Sequence, residues 1–290
     1  MKYDSISELV LTAQQKDSSI GSIVLEHQAQ ELEESESALL ERMDERLCVM
    51  ERSAREGMDP SLRSTSGLTG GDAHKLFELG DKGVMGGFLA RAASRAVAIA
   101  EYNAAMGKIV AAPTAGSCGI MPGCLISLLE DKGVRRSDIL LSMFTAAGIG
   151  MVIANKACVA GAQGGCQAEC GSAAAMTAAA LVEALGGSPE QAAHACAIAL
   201  KNQLGLVCDP VAGLVEIPCI KRNAGGVVIA ASAADMALSG IVSKIPADEV
   251  IAAMKEVGDS MPPSLRETAL GGLASTPTGL KLKEQVFGKD

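Results

Sequence analysis

Tryptophan is absent from this 290-residue sequence, and aromatic side chains make up only 2% of it. Large flat rings therefore cannot build the core. That task falls to the abundant alanine, glycine and methionine, side chains that let helices approach closely. No Lys/Arg block overrides a formal net charge of -9, which opposes binding to nucleic acid or to an anionic membrane surface. The expected partner is a small molecule or another protein. The opening residues MKYDSISELV carry acids early and lack an apolar stretch followed by a small-residue cleavage site, so no secretory signal is read there and a cytoplasmic location is expected. The longest uncharged run, Ile139 to Asn155, is shorter than the roughly 20 residues that cross a bilayer, and Gly148 and Gly150 interrupt it. A buried core helix is expected there. The sequence also lacks a CxxC pair and a compact ferredoxin-type cysteine run, so spacing by itself assigns no metal.

What is present points to an all-α protein. Hydrophobic residues reach 48%, enough for a substantial core, and no segment alternates with period two over a useful length. Residues 4–56 hold the densest charge, and Leu32, Leu39, Leu40, Met43, Leu47 and Met50 recur at spacings of three, four and seven. This pattern reads as an amphipathic helix, an exposed arm or a subunit contact, and residues 1–62 are taken as an N-terminal charged helical arm. At about residue 63 the composition turns to Gly, Ala, Ser and Thr, and residues 63–290 are taken as the main helical domain. Helices are expected at about 73–107, 122–130, 137–160, 171–186, 189–204, 223–243 and 247–257. The clearest start signal is Ser188-Pro189-Glu190-Gln191, with a capping serine, proline at the first helical position and acid in the first turn.

Three segments interrupt the helices with Gly, Pro and Cys: residues 112–119, 164–171 and 208–219. Nine cysteines in a reducing compartment are not expected to form structural disulfides, and an odd number cannot all pair within one chain. Cys166, Cys208 and Cys219 each lie in a loop beside a helix end, where a thiolate is more easily stabilised than inside an apolar helix. They are candidate soft metal ligands, weighed evenly against buried small hydrophobes. Cys48, Cys158 and Cys196, in helical and mostly apolar contexts, read as packing residues, and so do Cys118, Cys124 and Cys170.

The stretches GCQAECGSAAAMTAAAL at 165–181, CDPVAGLVEIPCIKRNA at 208–224, APTAGSCGIMPG at 112–123 and TSGLTGGD at 65–72 together resemble the α chain of iron-sulfur L-serine dehydratases across essentially the whole sequence. The resemblance implies that Cys166, Cys208 and Cys219, separated by 42 and 11 positions, ligate a 4Fe-4S cluster. It implies that residues 63–290 form a helical iron-sulfur catalytic domain whose Gly/Cys-rich loops build the site. Three thiolates leave one iron open as a Lewis acid for the departing hydroxyl of L-serine, yielding pyruvate and ammonium with no requirement for pyridoxal phosphate. A separate regulatory β chain and an oligomeric assembly are implied as partners.

The substrate carboxylate and ammonium must also be gripped. Ser66, Thr69, Gly70 and Gly71, before a helix expected near Asp72, offer hydroxyl and N–H donors, and Thr114 and Ser117 form a second loop of the same kind. Lys156 at a helix end and His74 beside the first loop are the candidate bases; a solvated lysine and a capping histidine are the plainer readings of them. Glu169, Asp209 and Glu216 lie inside the cysteine motifs and have possible orienting roles. His194 reads as a core residue and His27 as solvated. The chain ends Val286-Phe287-Gly288-Lys289-Asp290, without the terminal cysteine that caps the cluster in some single-chain relatives. The last 30 or so residues are a candidate cover over the site. The rival readings are a related lyase acting on threonine, cysteine or a hydroxy acid, a noncatalytic iron-sulfur or zinc protein, and a small helical membrane protein.

Overall fold

Three serines set the start of the chain. Ser5, Ser19 and Ser35 each place a side-chain oxygen on a backbone N–H three residues on, opening helices α1 (Ile6–Gln15), α2 (Ile20–Leu32) and α3 (Glu36–Glu56). Left-handed residues Asp17 and Glu33 fall between these helices. A computed structural model describes residues 4–288, and among them the chain is helical throughout, with one isolated bridge between Cys208 and Arg266 and no strand. The single amphipathic arm expected at the N-terminus is thus three capped helices. They are not an exposed appendage: Leu9, Ile23, Val24, Leu47 and Met50 are fully buried in the same core as the central helices. The sequence pattern concealed this because the dense charge on the outer faces of α3 dominates the composition of the stretch.

The helix expected over 73–107 is broken. It forms α4 (Asp72–Leu79) and α5 (Gly86–Ala104), because Gly80 and Gly86 adopt positive φ and turn the backbone between them. There follow α6 (Ile120–Asp131), α7 (Arg136–Lys156), the single turn α8 (Gly161–Gly164), α9 (Ser172–Ala184), α10 (Pro189–Lys201), α11 (Cys219–Leu238), α12 (Ala247–Ser260) and α13 (Pro277–Phe287). Ser188 and Gln191 close a reciprocal capping box at the start of α10, as the sequence implied. Helix α11 begins four residues earlier than expected, which puts Cys219 in its first turn.

Helix α9 is the axis of the fold, packed on by α6, α7, α10 and α11. Ala173, Ala174, Ala175, Ala178, Ala179 and Ala180 are all fully buried, so neighbours close in on every side of a helix that presents little more than methyl groups. A leucine at Ala179 would overpack this axis at a cost of roughly 1–3 kcal/mol. Helix α7, 21 residues long and containing an 18-residue window of mean hydropathy 1.7, is long and apolar enough to cross a membrane by length and composition. Here it packs against α2 and α9 as a core helix. The loops that precede α4, α6, α9 and α11 and the segment between α12 and α13 gather around the N-terminal end of α9, and the candidate site lies there.

Candidate functional site

Cys166 opens one turn of π-helix, Gln167–Gly171, that leads into α9. Such widened turns recur at functional sites because they re-aim side chains. The turn is anchored by Gln167, fully buried, whose amide donates to the Met254 carbonyl at 2.9 Å and accepts from Gly205 N–H at 2.9 Å. Its own N–H donates to the Leu206 carbonyl, two residues before Cys208. Cys166, Cys208 and Cys219 are 2, 3 and 8% exposed. Cys170 joins them and shares a 3.4 Å sulfur contact with Cys166. It had read as a packing residue; the π turn is what brings it round.

Glu169 reaches into the middle of this group. Its carboxylate accepts from Thr114 Oγ1 at 2.8 Å and faces the Cys208 thiol at 3.8 Å. Ser117 lies 3.2 Å from Thr114. A methyl group added at Gly161 would lie 2.9 Å from Cys208 Sγ and 2.6 Å from Glu169 Oε2, so only glycine admits this approach. The other loop converges from the opposite side: Thr69 donates to the buried Glu216, three residues before Cys219, at 2.7 Å. Ser66 bonds within its own loop, to Ser64 and to Leu68 N–H. Gly70 and Gly71 pack directly on the Leu62 and Pro60 carbonyls. The N–H groups of Asp72 and Ala73 at the start of α4 are taken by the buried Glu101, so donors for a substrate on this side come from the loop.

The sequence reading passed over two residues in the first turn of α11. Asn223, fully buried, accepts from Gly119 N–H and donates to the carbonyls of Gly116 and Cys219, joining the 112–119 loop to a cysteine. Arg222 donates to the Val207 carbonyl and to Asp209, both at 2.8 Å. The available signal was a polar pair three and four positions after Cys219 at the head of an apolar helix. The segment between α12 and α13 lies over the Cys208 loop: Cys208 N–H donates to Leu265 O at 2.9 Å, Glu267 N–H donates to Cys208 O at 2.7 Å, and Leu273 N–H donates to Asp209 at 2.8 Å.

Electrostatics set these groups apart. Burial pushes the Cys219 thiol up to about 12 and raises Cys208 further, with the neighbouring Glu169 and Cys166 adding to it. Cys166 is held below the ordinary thiol range by its Cys170 contact, which outweighs burial, and by the Arg222 guanidinium. Burial lifts the Glu169 carboxyl above its usual value against the bond from Thr114. The candidate base Lys156 is not buried. Its side chain is 48% exposed at the end of α7 and faces Asp4 at 3.6 Å, because a lysine at a helix end extends its head group into water. His74 is half-buried on α4, in electrostatic range of Asp59. His194 is half-buried on α10, while Cys158 lies just beyond α7, outside any helix.

The family model described as serine dehydratase alpha chain matches residues 15–274. The chain belongs to this family. It is 49% identical to the probable L-serine dehydratase, alpha chain, of Bacillus subtilis (strain 168), covering 99% of this chain and 96% of that one. It is 47% identical to the L-serine dehydratase, alpha chain, of Peptoniphilus asaccharolyticus over 97% of both. With the L-serine dehydratase of Streptomyces coelicolor it shares 40% identity over 92% of its own length and 59% of that longer protein.

The donor set suits the iron-sulfur cluster implied by this family resemblance. Several buried soft sulfurs converge with one guanidinium beside them to offset thiolate charge, and glycine keeps the space around Cys208 clear. Ser172, which follows the π turn, buries a hydroxyl without a partner. Among the described residues no three His, Cys, Asp or Glu side chains close tightly enough around one point to hold a single ion.

Proposed function

We propose that this chain is the catalytic α chain of an L-serine dehydratase, an ammonia-lyase that removes the α-proton and β-hydroxyl of L-serine as water. The aminoacrylate so formed tautomerises and hydrolyses to pyruvate and ammonium. Cys166, Cys208 and Cys219 are the cluster ligands in this reading. The observation that carries it is their convergence, from segments far apart in sequence, around Glu169 and two hydroxyl-bearing loops. When bound, a 4Fe-4S cluster with three protein thiolates supplies an open Lewis-acidic iron for the leaving hydroxyl.

The remaining work falls to side chains. Thr114 and Ser117, with Ser66, Thr69 and the Gly70–Gly71 backbone opposite, bind the substrate carboxylate, and Glu169 orients the ammonium, aligning the bonds to be broken. Asn223 fixes the distance between the 112–119 loop and Cys219. Of the two candidate bases, only His74 follows directly on a substrate loop, and it is the one retained for proton transfer. The α-chain names of the relatives support a separate β chain as partner in an oligomer that completes the site.

Reconstitution with iron and sulfide under anaerobic conditions, with and without the β chain, followed by a pyruvate assay on L-serine, tests this reading. Turnover that vanishes on exposure to air and in Cys208→Ala is expected. A fully loaded, stable cluster with no activity toward serine, threonine or cysteine in either preparation would favour a noncatalytic cluster protein.

A further inference from the structure

Cys166 and Cys219 are carried by regular turns, but Cys208 is not. It lies in irregular backbone between α10 and α11, so tertiary contacts alone decide where its sulfur points. Both of its backbone groups are spent on residues 261–276: its N–H on the Leu265 carbonyl and its carbonyl on Glu267 N–H, at 2.9 and 2.7 Å. The next residue, Asp209, is 4% exposed and splits its carboxylate, Oδ1 accepting from Arg222 and Oδ2 from Leu273 N–H. The second arm of Arg222 returns to the Val207 carbonyl. Its fork therefore grips the residues on either side of Cys208, a geometry lysine cannot reproduce, while its charge lies beside Cys166. At the other end of the strap Met261 is buried against Gly165, where an added methyl would lie 2.6 Å from its sulfur, immediately before Cys166. Glu267 and Ala269 hold left-handed backbone conformations costly for residues with a Cβ, which persist where surrounding contacts impose them.

We propose that Asp209 and Arg222 are positioning residues through which the strap of residues 261–276 holds Cys208, and with it Cys166, in place as an iron ligand. This rests on the reading of the three cysteines as cluster ligands. It makes the strap a fourth wall of the site, and it makes Cys208 the cysteine ligand loosened first when the strap lifts.

Gly272 is the point at which to lift it. Its φ is +59°, and a methyl group there would lie 2.5 Å from Asp209 Oδ2, so Gly272→Ala pushes the strap away from Asp209. Gly240→Ala is the control, placing the same side chain at φ +89° in open space. In the anaerobically loaded full-length chain, iron transfer to a chelator is expected to be about tenfold faster in Gly272→Ala and in Arg222→Lys, in line with outer-shell changes at metal sites. Gly240→Ala is expected to match the unmodified chain. In the metal-free chain, iodoacetamide should label Cys208 faster in Gly272→Ala, with Cys196 labelling unchanged, a readout independent of the cluster. Equal iron release and equal Cys208 labelling in Gly272→Ala and the unmodified chain would overturn the proposal, as would equal acceleration in Gly240→Ala. An unmodified chain that never takes up iron, while Gly272→Ala still exposes Cys208, would break the ligand reading and leave the strap contact standing.

Discussion

Two groups of cysteines in this molecule are buried to a similar degree and differ in nearly everything else. Cys118, Cys124 and Cys196 lie among the small side chains of the helical core, and burial pushes each thiol up to about 12, with the Asp248 charge adding to it at Cys196. Cys166, Cys170 and Cys219 sit where a loop meets a helix start and Cys208 in the irregular backbone before α11; Cys170, Cys208 and Cys219 each feel the charge of Cys166, and Glu169 and Arg222 stand among them. Burial therefore does not distinguish a ligand from a packing residue in this chain. Convergence does, together with a charged partner able to compensate a thiolate.

The sharpest way to break this comparison is to remove one member from each group. Cys208→Ala is expected to abolish cluster uptake and serine turnover, read by iron content and pyruvate. Cys196→Ala should retain both and lose about 1 kcal/mol of stability, as a small core deletion does. A smaller effect is expected from Glu169→Gln, which keeps the shape and removes the charge facing the substrate ammonium. A charged hydrogen bond of about 1.5–3 kcal/mol corresponds to a drop of roughly 10- to 150-fold in kcat/KM, with cluster absorbance unchanged. Loss of the cluster in this variant would instead make Glu169 a structural neighbour of Cys208.

The pH dependence of folding sharpens the same contrast. Thiols whose folded pKa is raised keep their protons in the native state, while the unfolded chain begins to lose them near 8.5. Stability is therefore unaffected below that value and falls as pH rises from it toward about 12. The fall is about 1.4 kcal/mol per pH unit for each such thiol. The metal-free protein carries Cys208 and Cys219 in this set as well as the three core thiols, so its denaturation midpoint should decline more steeply above pH 9 than that of the loaded protein. Equal slopes in urea titrations would mean that these two cysteines do not change protonation on loading. The smallest effect belongs to Cys170→Ala, expected to keep the cluster and only alter its absorption, since Cys170 touches Cys166 without being counted among the ligands.

Much of this was legible in the residues. The alanine run of α9, the capping box at Ser188 and the absence of alternating segments announced a helical fold, and the cysteine motifs marked the segments that build the site. Less legible were the features that depend on distant partners. The charged N-terminal stretch concealed helices that are buried on one face, because charge on the outer face dominates the composition. Gln167, Arg222 and Asn223 were missed because a polar residue in an apolar helix looks like a tolerated exception until its partners are known. Lys156, a candidate base whose plainer reading was a solvated lysine, does extend into water, and the direction of a long side chain at a helix end follows from the surface around it.

The sequence by itself determined local choices: the serine-capped start of α10, the all-helical character of the chain, and the Gly/Pro/Cys segments that set the loops of the site. These depend on interactions within a few residues, so they can be read along the chain. Only the tertiary structure decided that Cys170 turns toward Cys166, that Thr69 and Thr114 meet Glu216 and Glu169 from opposite sides, and that a strap near the end of the chain fixes Cys208. Those contacts join residues from 55 to 147 positions apart, or depend on a turn widened by π geometry, and no short-range preference encodes them.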